Sequence, residues 1–280
     1  MSNYKKSLLN LGCGSRYLTD WTNVDFVKTG EGVVEFDLNT GVPFSDESFD
    51  LVYHSHVLEH FPKKQAENFV KECFRVLKPK GIIRVSVPDL EQIARIYIKQ
   101  LDNVTSDPNP LNKANYEWSV IEMYDQTVRN YSGGEMARYW SKERLINESW
   151  IVERTGEEFL SYRRSLEMSR KNHWPQDLSA KWKRYFRIST YRNYLAKWML
   201  GEPQLFELFE LARFRTGGEI HQWMYDRYSL GSLLETVGFS QIRVVDAFTS
   251  SIPDWEKHRW LDVENGKVRK PDSLFMEAVK

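Results

Sequence analysis

The sequence predicts an α/β protein whose parallel sheet is interrupted by a long helical insert, and three observations carry this. Residues 7–90 alternate short apolar runs with a helical pattern, the signature of βαβ units. From about 90 to 215 that rhythm stops, and helical patterns rich in Trp, Tyr, Phe and Arg take over. It returns after 219 with one helix and two more strands. A chain of 280 residues can hold one large domain with an insertion. The expected division is a core of 1–95 with 219–280 and a cap of 96–218.

Ser7-Leu8-Leu9-Asn10-Leu11 runs straight into Gly12-Cys13-Gly14 and reads as a buried strand entering a glycine turn. Residues 23–26 and 33–36 read as the second and third strands, and 49–53 as the fourth. A helix follows from about Gln65 to Leu77, with Phe69, Val70, Cys73, Phe74 and Leu77 on one face. Lys78-Pro79-Lys80-Gly81 is expected to stop it, and residues 82–87 form the fifth strand, closed by Pro88. Beyond the insert come a helix from about Arg227 to Val237 capped by Gly238, a strand from Gln241 to Ala247, and a last strand from Ser273 to Val279. The last two pair as a hairpin with a long, Trp-containing excursion between them.

A strand ending in Gly-x-Gly presents backbone N–H groups at the carboxyl edge of a sheet, where open α/β folds bind ligands. Asp25 ends the next strand, where a carboxylate can accept both hydroxyls of a ribose, and Asp37-Leu38 ends the third. The alternative is that the glycines only make a tight turn and the aspartates cap helices.

In these residues the chain resembles the class I S-adenosylmethionine-dependent methyltransferases. The resemblance lies in Leu9-Asn10-Leu11-Gly12-Cys13-Gly14, in Phe36-Asp37-Leu38 followed by Val42-Pro43-Phe44, in Ser48-Phe49-Asp50-Leu51-Val52 and in Val57-Leu58-Glu59-His60. It continues in Val76-Leu77-Lys78-Pro79-Lys80-Gly81 and in Leu233-Leu234-Glu235 to Gly238-Phe239. With His221-Gln222-Trp223-Met224-Tyr225-Asp226 it looks most like the methyltransferases of bacterial glycan-assembly clusters. The resemblance implies a Rossmann-like seven-stranded sheet of order 3-2-1-4-5-7-6 with the last strand antiparallel, a helical insert between strands 5 and 6, and S-adenosylmethionine as donor. It also implies that Gly12, Cys13 and Gly14 line the methionine part, Asp25 holds the ribose, and Phe26 lies on the adenine face. Asp37 with the Leu38 amide would read the adenine edge, and His54 would border the sulfonium.

Two departures stand out. The usual acidic residue two before the first glycine is Asn10, and Arg16 replaces the third glycine. Asp25 follows Gly14 by only eleven positions, where a dinucleotide fold spends about twenty on a full helix, so the first helix is one turn or missing. Arg16 is therefore expected to bind the donor's carboxylate in place of a helix terminus.

Methyl transfer is an in-line displacement at a carbon activated by positive sulfur, so the protein aligns the acceptor and, for a hydroxyl, removes its proton. His56 and His221 are the first candidates for that base, with His60 second. Residues 56–60 also match the H-x-x-E-H pattern of a zinc peptidase family, but they follow a strand of a nucleoside-binding sheet, and no metal is expected. Asp89, Trp223 and Tyr225 are the expected acceptor contacts, since aromatic faces suit sugar rings.

Lys plus Arg and Asp plus Glu both number 39, which excludes a chain that coats nucleic acid along its whole surface. Between Ser161 and Leu200, however, ten basic side chains face two acidic ones, a net +8 interleaved with Trp182, Phe186, Leu195, Trp198 and Met199. Such a segment suits a nucleotide sugar's phosphates or the headgroups of an anionic membrane, with nucleic acid ranked last. Two cysteines form no disulfide framework, and no apolar run is long enough for a membrane span. A cytoplasmic enzyme O-methylating a sugar hydroxyl on a nucleotide-linked or lipid-linked glycan is the expectation, with peripheral contact at the inner face of the membrane as the reading of the basic segment. The alternatives are N- or C-methylation of another small molecule, or a donor-binding partner that has lost catalysis.

Overall fold

The structure is a computed structural model and describes residues 6–171 and 203–280. Five strands come first: β1 (Leu8–Leu11), β2 (Thr22–Asp25), β3 (Val33–Glu35), β4 (Phe49–Ser55) and, after helix α1 (Lys63–Val76), β5 (Leu77–Pro88). The insert holds α2 (Leu90–Ser106), α3 (Pro110–Val128), α4 (Gly134–Trp140), α5 (Glu148–Thr155), α6 (Glu157–Lys171) and α7 (Pro203–Arg215). The chain ends with α8 (Arg227–Val237), β6 (Ser240–Val245), the short α9 (Trp255–His258), a small hairpin of β7 (Val263–Glu264) and β8 (Lys267–Val268), and β9 (Ser273–Val279). Most of the basic segment 161–200 lies outside the described residues.

The sheet order is β3-β2-β1-β4-β5-β9-β6. Counting only its seven strands, this is the expected 3-2-1-4-5-7-6, with β9 antiparallel to both neighbours. Register is set by buried pairs such as Leu9 against Val52 and Ile83 against Ala278. The helix does stop ahead of Lys78-Pro79-Lys80-Gly81, at Val76, but the fifth strand begins before residue 82: these four residues already belong to β5, because buried Leu77 ends the helix and pairs with Phe49.

Successive β1 side chains point to opposite faces. Leu9 and Leu11 join the core beneath α1 and α8, with Phe69, Val70, Cys73, Leu230 and Leu234. Leu8 faces the other way, with Leu51 and Tyr53. No helix stands between Gly14 and β2, as the short spacing requires, so that second face needs another cover. The excursion between β6 and β9 supplies it, laying Ile252, Trp255 and Leu261 on Leu8, Leu51, Tyr53 and Trp21.

Charge holds this cover down. Arg84, fully buried on β5, donates from Nε to Asp262 at 2.9 Å and from Nη1 to Glu277 at 2.7 Å. Its Nη2 donates to the Asp246 carbonyl at 2.8 Å, and its guanidinium lies 4.1 Å from the Trp255 ring centre. Tyr53 donates to the other oxygen of Asp262 at 2.6 Å. The insert has an apolar core of its own, built on Trp118, Tyr139, Trp140, Ile151 and Phe159.

Candidate functional site

The carboxyl edge of the sheet opens onto a cavity of about 440 Å³, within the usual range for a small-molecule site. Gly12, at the end of β1, has φ +64°, and a Cβ there would fall 2.3 Å from Cγ2 of Val57. Only glycine allows the loop to lie this close to the turn that follows β4. Gly14 is also left-handed, at φ +53°, but the space beside it is open.

Asp25 ends β2 and borders the cavity. Its Oδ2 accepts from the Gly14 amide at 2.7 Å and its Oδ1 from the Val27 amide at 3.2 Å. Each oxygen keeps acceptor capacity, as a carboxylate offers about four lone-pair sites. Asp37 does cap, as the alternative reading held: its Oδ1 accepts from both Asn39 nitrogens, at 2.9 and 2.8 Å, opening the 3₁₀ turn Leu38–Thr40. Its Oδ2 has no hydrogen bond among the described residues and can accept from an amino group. Phe26, 67% exposed, presents a ring at the same wall, beside Leu38. A diol acceptor, an amino acceptor and a flat apolar face in one cavity fit an adenosyl group.

The opposite wall comes from the turn after β4. His56 has φ +54°; its Nε2 lies 2.8 Å from Ser273 Oγ, and its Nδ1 lies 3.2 Å from Glu59 Oε1, too far out of line for a hydrogen bond. With a group against each nitrogen, His56 borders the cavity but has neither nitrogen clear for an incoming hydroxyl. His60 differs. Its Nδ1 donates to the Ile220 carbonyl at 3.2 Å, which leaves the Nε2 lone pair free among the described residues, and the ring lines the cavity. Burial lowers the pKa of both imidazoles and so keeps them neutral.

His221 packs edge-on against His60, ring centres 4.9 Å apart, and is not part of the cavity wall. Its Nδ1 is buried without a partner and its Nε2 lies 4.0 Å from Glu59 Oε1. Glu59 is wholly buried, neither oxygen is hydrogen-bonded among the described residues, and burial pushes its carboxyl up to about 8. Glu59, His60 and His221 each offer a ligand atom within 4.8 Å of the others.

Several expected site residues lie elsewhere. His54 is sealed between β4 and α1, edge-on to Phe69 at 5.2 Å, with neither nitrogen bonded and its pKa pushed down to about 3 by burial; it does not border the cavity. Arg16 does not reach it either. Its guanidinium donates to the carbonyls of Trp260 and Val263 and to Glu264, and stacks on the Trp260 ring at 3.7 Å. It clips the glycine loop to the chain segment that replaces the missing helix. Cys13 is buried below the loop, and burial raises its thiol to about 11.

Asp89 spends its Oδ1 on the Glu91 and Gln92 amides at the start of α2 and does not line this cavity. Trp223 and Tyr225 line a separate groove of about 590 Å³ between α1 and α8. Lys63 Nζ lies 4.6 Å from the Trp223 ring centre, and the Tyr225 hydroxyl is buried without a partner. The cavity also takes wall from Thr216-Gly217-Gly218, just past α7. Its glycine pair was a turn signal, but nothing local marks it as facing the sheet.

Residues 15–85 match the methyltransferase-domain family. A probable S-adenosylmethionine-dependent methyltransferase of Mycolicibacterium smegmatis is 48% identical over 48 residues, 17% of this chain and 18% of that protein. An uncharacterized protein of Haemophilus influenzae is 30% identical over 111 residues, 38% of this chain and 43% of its own length. The chain thus spans less than half the length of these curated relatives. A crystal structure described as a SAM-dependent methyltransferase, possible histamine N-methyltransferase, from Thermotoga maritima aligns over 99% of this chain and 83% of its own, at 11% identity and a TM-score of 0.39.

Proposed function

We propose that the chain is an S-adenosylmethionine-dependent methyltransferase acting on a hydroxyl, with a sugar as the acceptor class. The carrying observation is that one cavity joins Asp25, Phe26 and Asp37 on one wall to the free imidazole edge of His60 on the other. When bound, the donor supplies a methyl group on positively charged sulfur. The protein's part is placement. Gly12 and Gly14 let the donor pass close to the loop, Asp25 accepts from the ribose hydroxyls, Phe26 covers the adenine, and Asp37 Oδ2 accepts from its amino group. The neutral His60 side faces the acceptor and draws the proton from its hydroxyl as the new bond forms.

The sugar reading rests on the aromatic groove. Trp223 is 40% exposed in that separate groove, and its amide donates to the Glu59 carbonyl at 3.2 Å, so its backbone adjoins the turn that carries His60. Insert residues 96–218 serve this reading as a cap over the acceptor. The test is calorimetry with S-adenosylhomocysteine, followed by mass spectrometry of nucleotide sugars and glycan extracts incubated with methyl-labelled donor. Asp25→Ala should weaken product binding at least tenfold with the fold intact. A folded wild-type protein that binds neither donor nor product overturns the proposal, and donor binding without release of S-adenosylhomocysteine on any acceptor overturns its catalytic half.

A further inference from the structure

Glu59 presents a physical problem. It is wholly buried, and among the described residues no hydrogen bond reaches either oxygen. A buried carboxylate without donors is costly, and such an unsatisfied group points to a missing partner, an ion among them. The groups closest to it are imidazoles, His56 Nδ1 at 3.2 Å and His221 Nε2 at 4.0 Å, and His221 has an unpartnered nitrogen of its own.

The three groups are prepared for one role. The Ile220 carbonyl fixes the His60 tautomer by accepting from Nδ1, as carbonyls do behind metal-bound histidines, and so leaves Nε2 as a lone-pair donor. His60 and His221 stand at 81° to one another with ring centres 4.9 Å apart. One atom each from Glu59, His60 and His221 falls within a 4.8 Å span, which small side-chain shifts close to the 2.0–2.2 Å bonds of a zinc-class ion. His56, held against Ser273, sits beside the carboxylate and positions it. The nearby cation Lys270 is paired with Glu158, 3.5 Å away.

We propose that Glu59, His60 and His221 form a binding site for a divalent first-row metal ion, such as zinc, at the wall of the cavity. Two imidazoles and a carboxylate are the donor set of hydrolytic zinc and non-haem iron sites, which leave positions open for an oxygen ligand. Of the three, His60 lines the cavity, and an oxygen ligand would reach the ion from that side. The ligand set is not the pair suggested by H-x-x-E-H, since His56 is engaged elsewhere and His221 replaces it. Binding of the ion stands independently of methyl transfer. Its use rests on the proposed methyl transfer but takes over the part given there to His60, whose lone pair the ion would occupy: an acceptor hydroxyl on the ion would have a lowered pKa and release its proton to water.

The experiment is zinc calorimetry on the full chain after dialysis against chelator, with X-ray absorption of the zinc-loaded protein. The expected result is one ion per chain and a nitrogen/oxygen shell containing two imidazoles and no sulfur. His60→Ala and His221→Ala should each weaken binding at least tenfold, while His258→Ala, on the other face of the sheet beside Trp21, should not. Absence of binding tighter than about 0.1 mM, a shell with fewer than two imidazoles, or unchanged affinity in both folded variants overturns the site. The absorption spectrum of the wild type decides if either variant fails to fold. Metal binding without affinity for S-adenosylhomocysteine refutes only the methyltransferase reading; full methyl transfer in chelator by metal-free protein refutes only the catalytic use of the ion.

Discussion

The contact between Gly12 and Val57 makes a quantitative claim about the glycine loop. Placing alanine at 12 imposes a left-handed φ of +64° on an L-residue, which costs roughly 1–2 kcal/mol. It also drives a methyl to 2.3 Å from Val57 Cγ2, and overpacking of this kind costs about 1–3 kcal/mol. Gly14→Ala is the internal control, with similar strain at φ +53° but open space. Gly12→Ala should therefore destabilise by about 2–5 kcal/mol and Gly14→Ala by only about 1–2 kcal/mol. Val57→Ala alone removes a buried side chain at about 2 kcal/mol, yet in the Gly12→Ala background it removes the collision. Urea unfolding of the four corners of this cycle should give a favourable coupling of about 1–3 kcal/mol. A coupling below about 0.5 kcal/mol would refute the claim that the loop needs glycine because of Val57.

Other outcomes follow from the buried charges. Arg16→Ala should lower stability by about 1–3 kcal/mol through the lost bonds to Trp260, Val263 and Glu264, while the affinity for S-adenosylhomocysteine measured by calorimetry changes less than about twofold; a several-fold weakening with unchanged stability would return Arg16 to the donor. Arg84→Met leaves Asp262 and Glu277 facing each other without their cation and should cost about 3–5 kcal/mol in urea unfolding, a loss under about 1 kcal/mol being the contrary result. Asp272 is buried near Glu158 and Glu122, and burial raises its carboxyl to about 7. The folded chain then binds a proton that the unfolded chain releases near pH 4, so this residue makes stability fall as pH rises from about 4 to 7. Asp272→Asn should raise the melting temperature at pH 8, by up to about 4 kcal/mol of stability, and change it little at pH 4; an equal effect at both pH values contradicts the assignment.

Most of the wall proposed to hold the donor was legible in the sequence because each of its residues sits at the end of a strand. Gly12, Asp25 and Asp37 are placed by β1, β2 and the end of β3, and a strand is recognisable from its own few residues. The missing first helix was legible too, from the short interval between Gly14 and Asp25. What replaced it was not, since Trp255 and Leu261 meet Leu8 only after the sheet has assembled. Arg16 was misread for the same reason: in sequence it stands beside the glycines, while its partners lie near residue 260. His56 and His60 stand four apart in the sequence yet share no helix face, because the segment is no α-helix. His56 is left-handed and a 3₁₀ turn follows, which turns one ring toward Ser273 and the other toward Ile220.

The far wall of the cavity is set by the returning end of the insert. The amides of Gln222 and Trp223 donate to the Glu59 carbonyl at 2.7 and 3.2 Å, and the His221 amide donates to the Gln126 carbonyl on α3 at 2.9 Å. Ile220 holds His60, and the Leu90 amide donates to the Tyr225 carbonyl at 2.9 Å where the insert departs. Residues 220–225 thus form a strap that bonds to the β4 turn on one side and to α2 and α3 on the other. Any rearrangement of the insert's helices therefore moves His221 and the Ile220 carbonyl relative to Glu59, whereas Asp25 and Asp37 stay fixed by the sheet. The physical consequence for the proposed function is a division of labour: the wall proposed for the donor is held by the sheet, and the wall proposed to face the acceptor follows the insert.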